Sequence, residues 1–282
     1  MLNLDALTYA GKLKHCADFA QDPHYEFIQG SINDVRLVTK LLGRVEAVVN
    51  FAAESHVDNS IQNPNIFIET NVLGTQVLLN AARETKLKRF LQISTDEVYG
   101  DTDFTATQKF TEESPLRPSS PYAASKAAAD LLCFAAQRTF GVPIVISRCT
   151  NNFGLAQHAE KLIPHALTQA RKKGRVVLHG TGENIRDWLQ VEDHCAALLK
   201  ILFESPAKEV WNIGAQNEQT NLAVVKLIFQ ILGLVPRIEF GPDRPGNDRR
   251  YALATTKITK RLGWRPQRTD FAAELKKVVF GY

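Results

Sequence analysis

No run of about 18 apolar residues occurs in the 282-residue chain, so no helical membrane span is expected. Met1 is not followed by a basic segment and an apolar core, so a secretion signal is not expected either. Cysteine is scarce: Cys16, Cys133, Cys149 and Cys195 stand far apart, without two-residue spacing or a histidine in ligand register. That argues against zinc and against a redox pair, and predicts reduced, mostly buried thiols in a cytoplasmic protein. Blocks of one charge are missing as well. The 34 basic and 30 acidic residues leave a net charge of +4 and are spread along the chain, so the clustered Lys and Arg that bind nucleic acid are not there. There is no internal repeat and no low-complexity linker. What is present is a hydrophobic content of 44%, near the globular average, in a chain long enough for one large domain or two lobes.

Apolar segments of strand length alternate with helical stretches through the first half. Leu2-Leu4, Tyr25-Ile28, Ala47-Phe51, Phe90-Ile93 and Ile144-Ser147 read as buried strands. Asp34 to Leu42, Pro64 to Arg83 and Tyr122 to Phe140 carry helical periodicity. Strand and helix in turn predict a doubly wound parallel α/β sheet, in which ligands gather at the carboxyl ends of the strands. Asp5, Ser31, the loop from Phe51 to His56, Thr95-Asp96-Glu97 and Asn151-Asn152 all follow predicted strand ends. After residue 150 the alternation becomes irregular, which predicts a smaller second lobe interleaved with the end of the first.

Two constellations can carry chemistry. Ser120 and Pro121 mark the start of a helix on which Tyr122 and Lys126, four apart, share a face. A free tyrosine ionises near a pKa of about 10, so making it a base at neutrality takes about three units, or ~4 kcal/mol, in the direction that a nearby ammonium supplies. Tyr and Lys at this spacing also occur on ordinary solvated helix faces. Ser94 to Gly100 places a hydroxyl and two adjacent carboxylates after a central strand. Such a pair is useful where one acid must hold a proton and the other must not, although a turn with capping acids has the same composition.

Ser94 to Gly100, Tyr122-Ala123-Ala124-Ser125-Lys126, Asp5 to Gly11, Ala52 to Asp58, Ile185 to Leu189 and Asp243 to Tyr251 together resemble the extended short-chain dehydrogenase/reductases. Within these, the chain resembles the nucleoside-diphosphate-glucose 4,6-dehydratases of the dTDP-glucose type. The Thr-Asp-Glu triplet discriminates, since related epimerases and decarboxylases usually lack the acid pair. The resemblance implies a Rossmann-like, NAD-dependent, homodimeric enzyme. Tyr122, with Lys126 favouring its phenolate, would deprotonate the 4-hydroxyl while hydride passes to NAD. Glu97 would act as base at C5 and Asp96 as acid at the 6-hydroxyl, and Thr95 would hold the 4-oxygen. Hydride then returns to C6. For the cofactor, the resemblance implies Asp5, Ser31, Ile32, Ala52, Ala53, Ser55, Thr70, Tyr122, Lys126 and Asn152. For the sugar nucleotide it implies Ser55, Thr95, Asn151, Lys161, Leu162, Arg186, Asn221, Arg244 and Asn247, with the arginines suited to a diphosphate. Residues 1–153, joined by 185–215, would form the NAD-binding domain, and 154–184 with 216–282 the sugar-nucleotide lobe. His56, His158, His165, His179 and His194 show no readable partner and are expected to be structural.

The chain departs from the family pattern at Leu155-Ala156-Gln157-His158, beside the expected substrate loop, and at Asp5. A dinucleotide fingerprint sets its Gly-rich turn roughly 20 residues before the ribose-binding acid, and Asp5 leaves no room for it. The family's first strand, glycine loop and first helix are therefore expected to be missing, leaving an open apolar slot in the sheet. A non-catalytic sugar-nucleotide-binding homologue and a sugar-nucleotide 4-epimerase are the alternative readings.

Overall fold

Strand and helix alternate along the chain in a computed structural model, which describes residues 1–281. The first half contains β1 (Leu2–Asp5), β2 (Glu26–Gln29), α1 (Val35–Leu42), β3 (Ala47–Asn50), α2 (Val57–Gln62), α3 (Pro64–Phe67), α4 (Gly74–Glu84), β4 (Arg89–Thr95), α5 (Pro121–Phe140) and β5 (Ile144–Cys149). The second half contains β6 (Asn151–Phe153), α6 (Leu162–Lys173), β7 (Val176–His179), β8 (Ile185–Gln190), α7 (Val191–Glu204), β9 (Val210–Ile213), β10 (Glu218–Thr220), α8 (Asn221–Ile231), β11 (Ile238–Gly241), α9 (Thr256–Leu262) and α10 (Phe271–Gly281).

The central sheet runs β3-β4-β5-β9, all parallel, with Phe90 opposite Ile144 and Thr95 opposite Cys149. Every residue of β5, and all of β4 beyond Arg89, is buried, because helices cover both faces of a parallel sheet. On one face, Val38 of α1, Leu78 and Leu79 of α4 and Cys133 of α5 pack with Phe90 and Ile144. On the other, Ala197, Leu198 and Ile201 of α7 and Ile258 of α9 pack with Leu91, Val145 and Trp211. This is the predicted doubly wound arrangement. A second core joins α6, α8 and α10 around Phe153, Trp188 and Phe271, whose rings meet at 5.1 to 6.3 Å. β6 pairs in parallel with β8, which pairs antiparallel with β10, while β7 and β11 form a parallel pair.

Two details differ from the sequence reading or sharpen it. The helix predicted over Pro64 to Arg83 is broken by a π-helical turn, Ile68–Leu73, between α3 and α4. Such turns re-aim side chains, and here Asn71 is turned inward. The expected slot is present: among the described residues β1 pairs only with β2, and β1 and β3 do not bond to each other. A cavity of about 590 Å³ lies between them, with Leu2, Leu4, Leu41, Val45, Val48 and Val49 in its walls.

The start of α5 sets the position of Tyr122. Ser120 Oγ accepts from the Ala123 amide at 3.1 Å, and Pro121 occupies the first turn. Removing this cap in Ser120→Ala should cost about 1 kcal/mol. The expected result is a lower urea midpoint at an unchanged m-value.

Candidate active site

β4 delivers the acid pair. Its last residue, Thr95, caps the 3-10 turn Asp96–Tyr99: the hydroxyl accepts from the Glu97 amide at 3.3 Å and donates to Asp96 Oδ1 at 3.1 Å. The turn ends at Gly100, whose φ of +86° and a would-be Cβ only 2.1 Å from the Arg117 carbonyl oxygen leave room for glycine alone. Asp96 is buried, and its Oδ2 has no hydrogen-bond partner among the described residues. Burial, and then the Glu97 charge, push its carboxyl well above the usual range. Burial also raises Glu97, but Arg186, Lys161 and Arg244 oppose that rise. The two neighbouring acids therefore differ in kind. Asp96 is the one that keeps a proton, and Glu97 is the one that cations hold toward the carboxylate.

Tyr122 and Lys126 lie on the buried face of α5 rather than on a solvated one. Ser125 Oγ donates to the Tyr122 carbonyl at 2.7 Å and accepts from Asn71 Nδ2 at 2.8 Å. Asn71 also grips both the amide and the carbonyl of Glu54, so the π-helical turn ties the loop after β3 to the catalytic helix. One expectation needs correction. Burial and then the Glu97 charge outweigh Lys126 here and push the Tyr122 phenol well above the usual tyrosine value. The Lys126 ammonium instead donates to the Ile93 carbonyl at 2.6 Å, and its own burial lowers its pKa. The Thr95 hydroxyl, beside the phenol, favours the ionised form.

Of the residues predicted for the cofactor, Asp5, Ser31, Ile32, Ala52, Ala53 and Thr70 line the cavity between β1 and β3. Ser55, Tyr122, Lys126 and Asn152 lie outside that lining, toward the acid pair. Asp5 Oδ1 accepts from the Leu7 amide at 2.7 Å, and Ser31 Oγ from the Asn33 amide at 3.1 Å, so both turns are self-bonded. Ser55 receives the Lys161 ammonium on its carbonyl at 2.8 Å. Asn152 Nδ2 donates to the Thr150 carbonyl at 3.2 Å, close to Cys149.

The predicted sugar-nucleotide residues divide three ways. Lys161, Arg186 and Arg244 converge electrostatically on Glu97. Arg186 is clamped by the Ile185 and Asp248 carbonyls at 2.8 Å each and lies 4.6 Å over the Tyr251 ring, so it serves the acid pair as much as any diphosphate. Arg244 reaches Asp58 at 3.6 Å, and its buried Nε has no partner among the described residues. Asn151 sits on β6, and Asn221 opens α8 with a buried, unpaired Oδ1. Asn247 is held by Asp243 at 2.7 Å. Leu162 packs against the second core, which makes it part of the wall rather than a polar contact.

The sequence reading missed several members. Glu160 accepts from Tyr9 Oη at 3.2 Å and lies 3.5 Å from His158 and 4.0 Å from His56, which also faces Asp58 at 3.7 Å. His56 and His158 are thus not the partnerless histidines expected. Two of these pairings are local, His158 with Glu160 and His56 with Asp58, while His56 meets Glu160 across a long stretch of sequence. His194 does fit the structural reading, since burial pushes it down to about 4. Tyr251 is bonded to Asp248 and electrostatically near Glu97. The available signal was position: Glu160 precedes Lys161, and Tyr251 closes the Asp243-to-Tyr251 motif.

Because Asp96 keeps its proton more readily folded than unfolded, its contribution to stability is complete below the ordinary carboxyl value of 3.8. That contribution is lost as pH rises through the folded value. Asp96→Asn should therefore stabilise the protein relative to wild type increasingly as pH rises above the ordinary carboxyl value. Urea midpoints across that range measure it, and a variant less stable than wild type at the upper end contradicts the assignment.

Among known proteins, residues 1–277 match the family model described as GDP-mannose 4,6 dehydratase. The chain is 47% identical over 268 residues to the low-salt glycan biosynthesis protein Agl12 of Haloferax volcanii, covering 95% of this chain and 85% of that one. It is 44% identical over 280 residues to a dTDP-glucose 4,6-dehydratase of Actinoplanes sp., covering 99% and 86%. The solved structure of DesIV, a dTDP-glucose 4,6-dehydratase from Streptomyces venezuelae with NAD and TYD bound, superposes with a TM-score of 0.95. Its sequence identity is 43%, over 100% of this chain and 86% of that one. The chain belongs to the nucleotide-sugar 4,6-dehydratases, the family that the GDP-mannose 4,6 dehydratase model describes.

Proposed function

We propose that the protein converts dTDP-glucose to its 4-keto-6-deoxy derivative with NAD as cofactor. The observation that carries this reading is the asymmetry of the acid pair. Asp96 is buried, with an Oδ2 that has no hydrogen-bond partner among the described residues, and cations act on Glu97, all at the end of the strand beside Tyr122. A 4-epimerase has no use for that pair, because it eliminates no water.

The residues present fit NAD at its adenosine end. Asp5 offers a carboxylate to ribose hydroxyls and repels a 2′-phosphate, Ile32 gives an apolar wall, and Ala52 and Ala53 are small enough for close approach. When bound, NAD supplies the hydride acceptor for C4 and the donor for C6. The chain's own groups handle the protons. Tyr122 takes the proton of the 4-hydroxyl, and Thr95 holds that oxygen in place. The resulting ketone acidifies C5–H, and Glu97 removes this proton. Asp96 gives its proton to the departing 6-hydroxyl, so water leaves with the C–O electron pair. Glu97 then returns a proton to C5. Arg244 and Lys161 would meet the diphosphate oxyanions. A protein that only binds sugar nucleotides would have no need to keep Asp96 protonated at a stability cost.

Asp96→Asn should still oxidise C4, so the reduced-nicotinamide absorbance accumulates, while water loss slows by about 10² or more. Elimination at the wild-type rate would remove Asp96 from the acid role. A product of unchanged mass from the wild-type enzyme would point to epimerisation.

The same reading includes a homodimer in the cytoplasm. Ile61, Ile66, Ile68, Leu73 and Leu131 form an exposed apolar set on α2, α3, the π-helical turn and α5. Such an unpartnered face suits pairing with its own copy. All four thiols are unpaired, as expected in a reducing compartment. Among the described residues, no helix is long and apolar enough to cross a membrane. Leu131→Glu should halve the sedimenting mass if this face is the interface.

A further inference from the structure

The face of α5 that carries Tyr122 and Lys126 continues one turn further to Asp130, at the same spacing of four. Asp130 is fully buried and has no part in the proton transfers above. Its Oδ2 accepts from Arg148 Nε at 2.9 Å, and Arg148, near the carboxyl end of β5, is itself only 1% exposed. Arg148 Nη1 donates to Tyr99 Oη at 2.9 Å, and the guanidinium lies 4.8 Å over the Tyr99 ring. Tyr99 Oη donates to Asn212 Oδ1 at 2.7 Å, and Asn212 Nδ2 in turn donates to the Phe110 carbonyl at 3.0 Å. Burial pushes Tyr99 up to about 12, so it remains a donor. A continuous polar chain thus joins α5, β5, the turn after β4 and β9 beneath the site.

An ion pair this deep is weak evidence for stability, since apolar residues of similar volume do as well or better. What the pair changes is the field at its neighbours. The charged groups reaching Asp130 are Arg148 and Lys126, with the Ser94 hydroxyl beside it. The groups reaching Lys126 are Asp130 and the buried thiols of Cys133 and Cys149. Burial raises both thiols, so they stay neutral. Burial raises Asp130 as well, but Arg148 opposes that rise, so among these groups Asp130 is the one held toward the anion beside Lys126. Glu97, Asp96, Cys149 and Thr95 are the groups that face Tyr122 itself.

We infer that Asp130, fixed by the Arg148–Tyr99–Asn212 chain, is a positioning residue that keeps the Lys126 ammonium charged and aimed along the face it shares with Tyr122. The inference rests on the proposed dehydratase reading for its purpose, but not for its test. Without Asp130, burial would act on Lys126 with no carboxylate to oppose it, and the ammonium would lose its proton more readily.

The experiment follows Lys126 directly in the full chain labelled with [ε-13C]lysine, its resonance assigned by its absence in Lys126→Arg. Asp130→Asn should move the Lys126 titration down by about one pH unit or more, a tenfold change in its ionisation constant, and Asp130→Glu should restore it. If Asp130→Asn does not fold, the double variant Asp130→Asn/Arg148→Gln removes both charges together and should show a downward shift of the same sign. An unchanged Lys126 titration in the folded variant overturns the inference. In the NAD-loaded enzyme, the same shift should move the limiting ionisation of kcat/KM upward, with the sugar-nucleotide KM held. Absence of dehydration in the wild type would count against the proposed function, while the titration would still decide the role of Asp130.

Discussion

Water is excluded from the carboxyl ends of β4 and β5, and the rest of the site depends on that exclusion. Both strands are buried on both faces, so the turn that follows β4 places two carboxylates where a charge is expensive. In water, adjacent Asp and Glu would ionise together. Here burial raises both, and the unequal supply of cations separates them, since Lys161, Arg186 and Arg244 oppose the rise of Glu97 most. The chemistry of one acid and one base is thus produced by packing around the strand end, more than by any property of the triplet itself. The same dryness acts on Tyr122 and Lys126 in opposite senses, raising the phenol and lowering the ammonium. The ionisation of both groups therefore depends on the charges packed around them.

Much of this was legible in the sequence because it is local. The cap at Ser120, the spacing of Tyr122 and Lys126, the triplet after an apolar strand and the alternation that winds the sheet are each short-range patterns with a physical cause. What was not legible is what arrives from elsewhere in the chain. Glu160 meets His56 and Tyr9 only because the loop before α6 folds back over the loops after β1 and β3. Asn71 points inward only because a π-helical turn interrupts a pattern that reads as one helix. The direction of the Tyr122 shift was misread for the same reason. Spacing places Lys126 on the same face, but burial and the Glu97 charge decide the sign.

The expected slot and the site chemistry turn out to rest on different parts of the fold. Thr95, Asp96, Tyr122, Lys126, Asp130 and Arg148 are anchored in β4, β5 and α5, where the side chains are buried and the ladder is complete. Asp5, Ser31 and Ile32 belong instead to β1 and β2 and the turns behind them, a parallel pair that shares no ladder bonds with the main sheet. Its link to the core runs through Leu4 and Ile32, which pack with α1 and α4, and its outer loop reaches Glu160 through Tyr9. Local stability follows such differences in packing, and a ligand that bridges two units stabilises the weaker one by its own binding free energy. A dinucleotide spanning the cavity from Asp5 to Thr70 would contact both sides of it. A cofactor bound there would therefore add its binding free energy to the packing that holds the β1–β2 pair against α1 and α4.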